Sequence, residues 1–278
     1  MSLPAITERS PVTTPLLLDS SLKPIINSER VDLGNGLSTM VHSARYKRSE
    51  VKARIVYFDK LTVLTDWCHE NNVSEAVTGG FHNRDTDIPQ GEIWLDGKKQ
   101  HSEPFALGWG GKRASVYTSK LGGLNIAPRQ LQPATPDGSL LEAGPTLVLN
   151  GVSTFENNPD PEGFSATASQ HDEDINLKRH PRAAIASNPE YIWTFAVDGR
   201  STEDAGMYLD ELADYAIGRG VTYAMNLDGG RSANLVSGGR LINTPRVATV
   251  RTDIGFGIHS AIVFEPVGTL LQRLISFC

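Results

Sequence analysis

The residues best suited to chemistry stand together at Asn226-Leu227-Asp228-Gly229-Gly230-Arg231-Ser232. A short apolar run ends on an amide and a carboxylate, then turns through two glycines into a cation and a hydroxyl. Glycine lets the backbone turn sharply and approach a ligand closely, because it has no Cβ to clash. Such a strand end can present side chains and bare amides to one small molecule. The plainer reading of the same residues is an Asp-Gly hairpin turn between two strands. A second constellation, Asp198-Gly199-Arg200, closes the run 191–197, which is aromatic and β-branched and reads as a strand.

The elements between these two turns decide whether they meet. Ser201 or Thr202 can cap a helix whose first turn carries Glu203 and Asp204, where negative charge suits the helix dipole. Leu209, Leu212, Ala213, Ala216 and Ile217 fall on one helical face, and Gly218 and Gly220 stop it. Strand, helix and strand in this compass read as a βαβ crossover, which makes the two strands parallel and puts their C-terminal ends on one edge. Open sheets bind ligands at that edge. Asp198 and Arg200 are therefore expected beside Asp228 and Arg231. The fold class expected is α/β with an α+β tendency: a mixed twisted sheet with its crossover in the C-terminal half and the site at strand ends.

Upstream, 36–44 and 51–58 read as the first strands, and 61–70 as a short helix stopped by Asn71-Asn72. Thr78-Gly79-Gly80-Phe81-His82 is a second apolar run turning through Gly-Gly. Asp96-Gly97 reads as a hairpin turn, and Ser237-Gly238-Gly239 as another. Residues 157–180 form the longest stretch without periodicity, either a flap over a site or plain disorder. Residues 1–30, with four prolines, read as a loosely ordered arm. Val267, Leu270, Leu271, Leu274 and Ile275 suit a short amphipathic helix packed on the domain.

Composition excludes several classes. A net charge of -6 argues against nucleic acid as the main partner. Two cysteines, Cys68 and Cys278, make neither a disulfide framework nor a Cys-x-x-Cys metal pair, and both read as bystanders. The N-terminus has no basic segment followed by an apolar one, so the chain reads as cytoplasmic and off the membrane, or as secreted if a signal peptide has been removed. Oligomeric state has no signature in the sequence.

His180-Pro181-Arg182-Ala183-Ala184-Ile185 resembles the Pro-Arg-Thr-Ala-Ile-Gly segment of the phosphodiester glycosidase family. The resemblance continues in order through 197–200, the helix and 226–230. Upstream, Gly79-Gly80-Phe81 is similar to that family's Asn-Gly-Gly-Phe turn, and 144–148 to its next strand. It spans about residues 35–258, so that with the arm, 1–30, set apart the rest of the chain, 31–278, is expected to be one domain of this kind. Thr78 stands where the family has Asn, Arg231 where it has a third glycine, and His82 where an aromatic is common.

The resemblance implies a hydrolase that cleaves the bond between a sugar's anomeric carbon and a phosphodiester. Such cleavage passes through a cation-like sugar, which a carboxylate can stabilise, attack or hydrate. Asp228 and Asp198 are the expected catalytic pair. Phosphate leaves as a weak base and calls for anion binding more than for a strong acid. Arg182 and Arg200 suit that task through bidentate pairing, with Gly229 and Gly230 amides as further donors and Arg231 as a third cation for a nucleotide-linked or pyrophosphate-linked sugar. Asn226, Ser232, Thr78, Gly79, Gly80 and His82 complete the expected binding surface. No cofactor is expected, although a divalent metal stays open. Two alternatives remain: a metal-dependent phosphoesterase using Asp198, Asp228 and the run His171-Asp172-Glu173-Asp174, and a non-catalytic module that binds nucleotides or sugar phosphates. The acidic run also reads as a solvated segment.

Overall fold

The computed structural model describes residues 22–83, 85–105, 108–109, 111–165, 176–247, 250–251 and 255–268. Three long strands come first, β1 (Ile25–Gly34), β2 (Leu37–Lys47) and β3 (Val51–Val63), followed by helix α1 (Leu64–Glu70) and β4 (Glu75–Thr78). Short strands follow: β5 (Ile93–Leu95), β6 (Lys98–Lys99), β7 (Ala114–Thr118), β8 (Leu124–Pro128), β9 (Ser139–Glu142), β10 (Thr146–Leu149) and β11 (Val152–Ser153). β12 (Arg182–Ser187) and β13 (Tyr191–Val197) precede helix α2 (Leu209–Ile217) and β14 (Tyr223–Asn226). The rest are β15 (Leu235–Ser237), β16 (Arg240–Leu241), β17 (Arg246–Val247), β18 (Val250–Arg251) and β19 (Gly257–Pro266).

The strands form a seven-stranded sheet ordered β1-β2-β13-β12-β14-β10-β11, two five-stranded sheets ordered β16-β15-β4-β19-β3 and β6-β5-β9-β7-β8, and the hairpin β17-β18. The central strands of the large sheet are buried on both faces, and the alternation of side chains along them shows how. Ala183, Ile185, Ile192 and Ala196 join the core shared with Ile55, Val77 and Ile262 of one five-stranded sheet and Ile93, Val116 and Leu141 of the other. Their neighbours Ala184, Ala186, Trp193, Phe195 and Val197 face Leu209, Leu212, Ala213 and Ala216 of α2. Helix α1 covers the outer face of its own five-stranded sheet through Leu64 and Cys68. Burial pushes the Cys68 thiol up to about 12, which keeps it inert.

This architecture overturns the expected α/β class. The protein is mostly β, and the pairings throughout the large sheet are antiparallel. No βαβ crossover links neighbouring parallel strands, because β12 lies between β13 and β14 and pairs antiparallel with each. Two strands that are both antiparallel to a third run the same way, so β13 and β14 still end at one rim. The turn at 201–204 also departs from expectation. Ser201 Oγ accepts the Asp204 N–H within a loop, while α2 begins after Tyr208, whose N–H donates to the Glu211 carboxylate at 2.8 Å.

At the N-terminal end, residues 1–21 of the expected arm lie outside the described residues. From Ile25 the chain is strand β1, paired along β2. The acidic run 171–174 and the C-terminal segment from 269, including Cys278, also lie outside the described residues. Among the described residues no helix is long and apolar enough to cross a membrane.

Candidate active site

The rim where β13 and β14 end is stitched together by backbone. Leu227 N–H donates to Ala183 O at 2.8 Å, Asp228 N–H to Gly79 O at 2.9 Å and Gly230 N–H to Pro181 O at 2.8 Å. The turn after β14 therefore touches both segments that the sequence pointed to, the Gly79-Gly80 turn and the Pro181-Arg182 entry into β12. Thr78 N–H donates to Asn234 O at 3.0 Å, and Gly79 N–H to Ser260 O at 2.8 Å. A Cβ on Gly79 would lie 2.8 Å from that carbonyl oxygen, closer than packing allows. Pro181 sits between two turn glycines. A Cβ on Gly199 would lie 2.9 Å from its nitrogen, and one on Gly229 would lie 2.8 Å from its oxygen.

Four buried side-chain oxygens around this junction have no hydrogen-bond partner among the described residues: Thr78 Oγ1, Asn226 Oδ1, Asp228 Oδ2 and Asn234 Oδ1. Buried polar atoms are nearly always paired, so several unpaired oxygens at one strand junction set this junction apart. The frame behind them is rigid. Asn226 Nδ2 donates to Gly144 O at 3.0 Å, and Asn234 Nδ2 to Ser232 O at 3.0 Å. Ser232 is buried, and its carbonyl takes part in this backbone support.

His82 stands against the carboxylate, with Nδ1 3.7 Å from Asp228 Oδ2 and side chains 6% and 16% exposed respectively. That spacing is an ion-pair approach rather than a hydrogen bond. The His82 ring packs on His259 with centroids 5.5 Å apart. His259 is fixed in turn by Phe58 O at 3.1 Å and Asp87 Oδ1 at 3.2 Å.

The second expected carboxylate is differently employed. Asp198 is buried, Oδ2 accepts from His42 Nε2 at 3.1 Å, and Oδ1 accepts the Thr244 N–H at 2.7 Å. With Nε2 donating, His42 Nδ1 accepts from the Ser28 hydroxyl at 2.8 Å. Asp198 therefore ties β2, the end of β13 and the loop at Thr244 into one piece. Arg182 is likewise buried, donating from Nε to Met207 O at 2.9 Å and from Nη2 to Lys178 O at 2.8 Å. Its fork braces backbone, so the expected phosphate contact does not fit it.

Arg200 remains at the rim. Its φ of +63° holds it in the left-handed region, and its guanidinium lies 3.1 Å from where a Cβ on Gly230 would stand. Gly230, at φ +59°, is thus favoured by its left-handed backbone, and a Cβ there would press on Arg200. With its N–H taken by Pro181, the amide expected to help bind an anion is Gly229 alone. Arg231 follows in a 3-10 turn, Gly230–Ser232, and has no side-chain partner among the described residues.

A support that sequence reasoning missed lies one layer below. Glu162 Oε1 accepts from Thr146 N and Oγ1 at 2.7 and 2.6 Å, and Oε2 from Ala114 N at 3.0 Å. Burial pushes its carboxyl up to about 7, against those donors and the charge of Arg113. Arg113 stacks 3.5 Å over Phe164, and burial brings it down to about 10. Glu162 leaves no room for a Cβ on Gly144, the residue whose carbonyl holds Asn226. The described start of the long loop is therefore anchored rather than free, and its residues 166–175 lie outside the described residues. Among the described residues no three His, Cys, Asp or Glu side chains are grouped to hold a metal ion.

A family model for phosphodiester glycosidases matches residues 71–264. The chain belongs to the phosphodiester glycosidase family. That family's chemistry is hydrolysis of the linkage between a sugar and a phosphodiester. Solved structures share the fold. The zebrafish N-acetylglucosamine-1-phosphodiester alpha-N-acetylglucosaminidase catalytic domain, auto-inhibited by its pro-peptide, is 20% identical at a TM-score of 0.67 over 87% of this chain and 82% of that one. A hypothetical protein from Synechocystis is 19% identical at a TM-score of 0.60, over 86% of this chain and 61% of that one. A protein from Burkholderia pseudomallei is 15% identical at 0.61, over 82% and 74%. No curated protein matches. Thr78, His82 and Arg231, which the sequence resemblance marks as departures from the family pattern, all lie at the junction around Asp228.

Proposed function

We propose that this protein hydrolyses the bond between a sugar's anomeric carbon and a phosphodiester group, with Asp228 facing the reacting carbon. One observation carries the assignment: within the residues that match the family model, Asp228 offers a carboxylate with a buried oxygen unpartnered among the described residues, close to three further such oxygens. Thr78, Asn226 and Asn234 accept sugar hydroxyls and orient the ring. As the bond from the anomeric carbon to the phosphate oxygen breaks, its electron pair leaves with the phosphate, and the Asp228 carboxylate faces the positive charge left on carbon. Water adds its oxygen to that carbon, and its proton passes to His82, which stands beside the carboxylate. Arg200 and the Gly229 amide meet the departing phosphate.

The expected carboxylate pair is thereby revised. Asp228 acts with His82, and Asp198 is a positioning residue that holds the rim. Arginine side chains carry the phosphate's charge in this scheme, so activity is expected to persist with a chelator present.

The test is incubation with a panel of hexose 1-(methyl phosphate) diesters, with mass analysis of both products. Free sugar plus methyl phosphate is the expected outcome, and Asp228→Asn should lower kcat by about a thousandfold or more while the protein stays folded. Release of sugar phosphate and methanol would instead establish a phosphoesterase. Binding without turnover would establish a binding module.

A further inference from the structure

Three arginines gather around the 3-10 turn beside Asp228, more positive charge than one phosphodiester needs. Arg200 reaches the turn from the end of β13, its guanidinium against Gly230. Arg231 is part of the turn itself. Arg246 opens β17, which packs on the same turn. The segment leading to Arg246 is fixed to the rim twice: Asn243 Nδ2 donates to Ala233 O at 2.7 Å, and Thr244 N–H donates to Asp198 Oδ1 at 2.7 Å.

Neither Arg231 nor Arg246 has a carboxylate or any other side-chain partner among the described residues, and Arg246 Nε is buried without one. A half-buried guanidinium normally finds an acceptor, because a buried, unsatisfied charged donor is costly. Two such cations on elements that pack together add to that cost unless an anion meets them. The described carboxylates of this rim do not supply that anion: Asp198 is engaged by His42 and Thr244, and Asp228 faces His82.

We infer that the leaving group this site takes is a diphosphate, so that the preferred substrate class is a sugar linked through its anomeric carbon to a nucleoside diphosphate or another pyrophosphate ester. Arg200 meets the phosphoryl group next to the sugar, and Arg231 and Arg246 clamp the second. Planar forks suit two adjacent phosphoryl groups, each able to accept a bidentate pair. This inference rests on the glycosidase assignment for turnover, but the clamp itself is a binding property and can be measured without turnover.

The decisive experiment measures binding of inorganic pyrophosphate and of inorganic phosphate to the Asp228→Asn protein by calorimetry. Pyrophosphate should bind at least tenfold more tightly, and Arg231→Gln or Arg246→Gln should erase most of that preference. Equal affinity for the two anions, or a preference untouched by both substitutions in proteins with an unchanged Tm, would overturn the inference. A turnover arm with the wild-type protein compares UDP-glucose with glucose 1-(methyl phosphate). The diphosphate ester should be cleaved with the higher kcat/KM, and Arg231→Gln should lower that value more than the value for the methyl diester, by roughly ten- to a hundredfold. A higher kcat/KM for the methyl diester would overturn the inference while leaving the glycosidase assignment standing. Cleavage of neither, with pyrophosphate still preferred, would remove the glycosidase assignment and keep the clamp.

Discussion

Asp198-Gly199-Arg200 and Asp228-Gly229-Gly230-Arg231 look like two versions of one device, each closing a strand and each running the same way to the same rim. Their side chains live under opposite conditions. Both oxygens of Asp198 are answered from within the protein, by His42 and Thr244. Asp228 has an oxygen to which no described residue donates a hydrogen bond, and neighbours in the same state. A saturated carboxylate holds structure, and an unsaturated one is held open by the structure around it. The stability of a fold rests on pairs of the first kind, while binding and catalysis draw on the second.

The contrast can be broken most directly by deleting each carboxylate in turn. Asp198→Ala strips His42 and Thr244 of a buried acceptor and should cost about 4 kcal/mol in urea unfolding. Asp228→Ala removes a carboxylate approached by His82 at 3.7 Å, whose Oδ2 accepts no hydrogen bond among the described residues, and its stability should match or exceed that of the wild type. If the two substitutions proved equally destabilising, the division of labour between the turns would collapse.

A smaller effect tests the buried support. The carboxyl of Glu162 sits near 7 in the folded protein against 4.5 ordinarily. The fold therefore binds this proton more tightly than the unfolded chain does. The stability it contributes is fully present below about pH 4.5 and is lost as pH rises through about 7, by up to about 3 kcal/mol. Glu162→Gln should flatten that slope in unfolding measured at pH 5 and pH 8. Glu75 and Glu142, also pushed up by burial, leave a residue of the same sign.

The smallest expected effect sharpens the contrast at a single atom. Gly230→Ala places a Cβ at a left-handed position, at a cost of about 1–2 kcal/mol, and presses it onto Arg200. KM for the phosphodiester should rise more than kcat falls.

Local pattern carried some of this into the sequence. The strand expected at 191–197 is β13, because its aromatic and β-branched residues need no distant partner to declare themselves. The face of α2 was legible for the same reason. The fold class was not, because nothing in 182–187 says that β12 will insert between β13 and β14. Strand order depends on pairing across the whole chain. Shared direction, and with it the shared rim, follows from either arrangement. β1 escaped notice because an exposed edge strand carries no apolar periodicity. The partners of Asp198 and His82 were invisible for a different reason. His42 lies 156 residues before Asp198, and His259 touches Phe58 and Asp87 across 201 and 172 residues. Asp228 could be singled out by its neighbours in sequence, but whether a carboxylate is saturated depends on neighbours in space.

Pro181 carries a consequence of another kind. With Gly199 against its nitrogen and Gly229 against its oxygen, no side chain can enter either turn unless the entry to β12 moves aside. The lock is made of backbone atoms, so both glycines stay fixed whichever residue stands at 181. A variant that enlarged one turn to reshape the pocket would disturb the other through a residue that need not touch substrate. The two turns thus form a single mutational unit, and divergence of specificity is steered toward the positions free of this lock, Arg231 first among them.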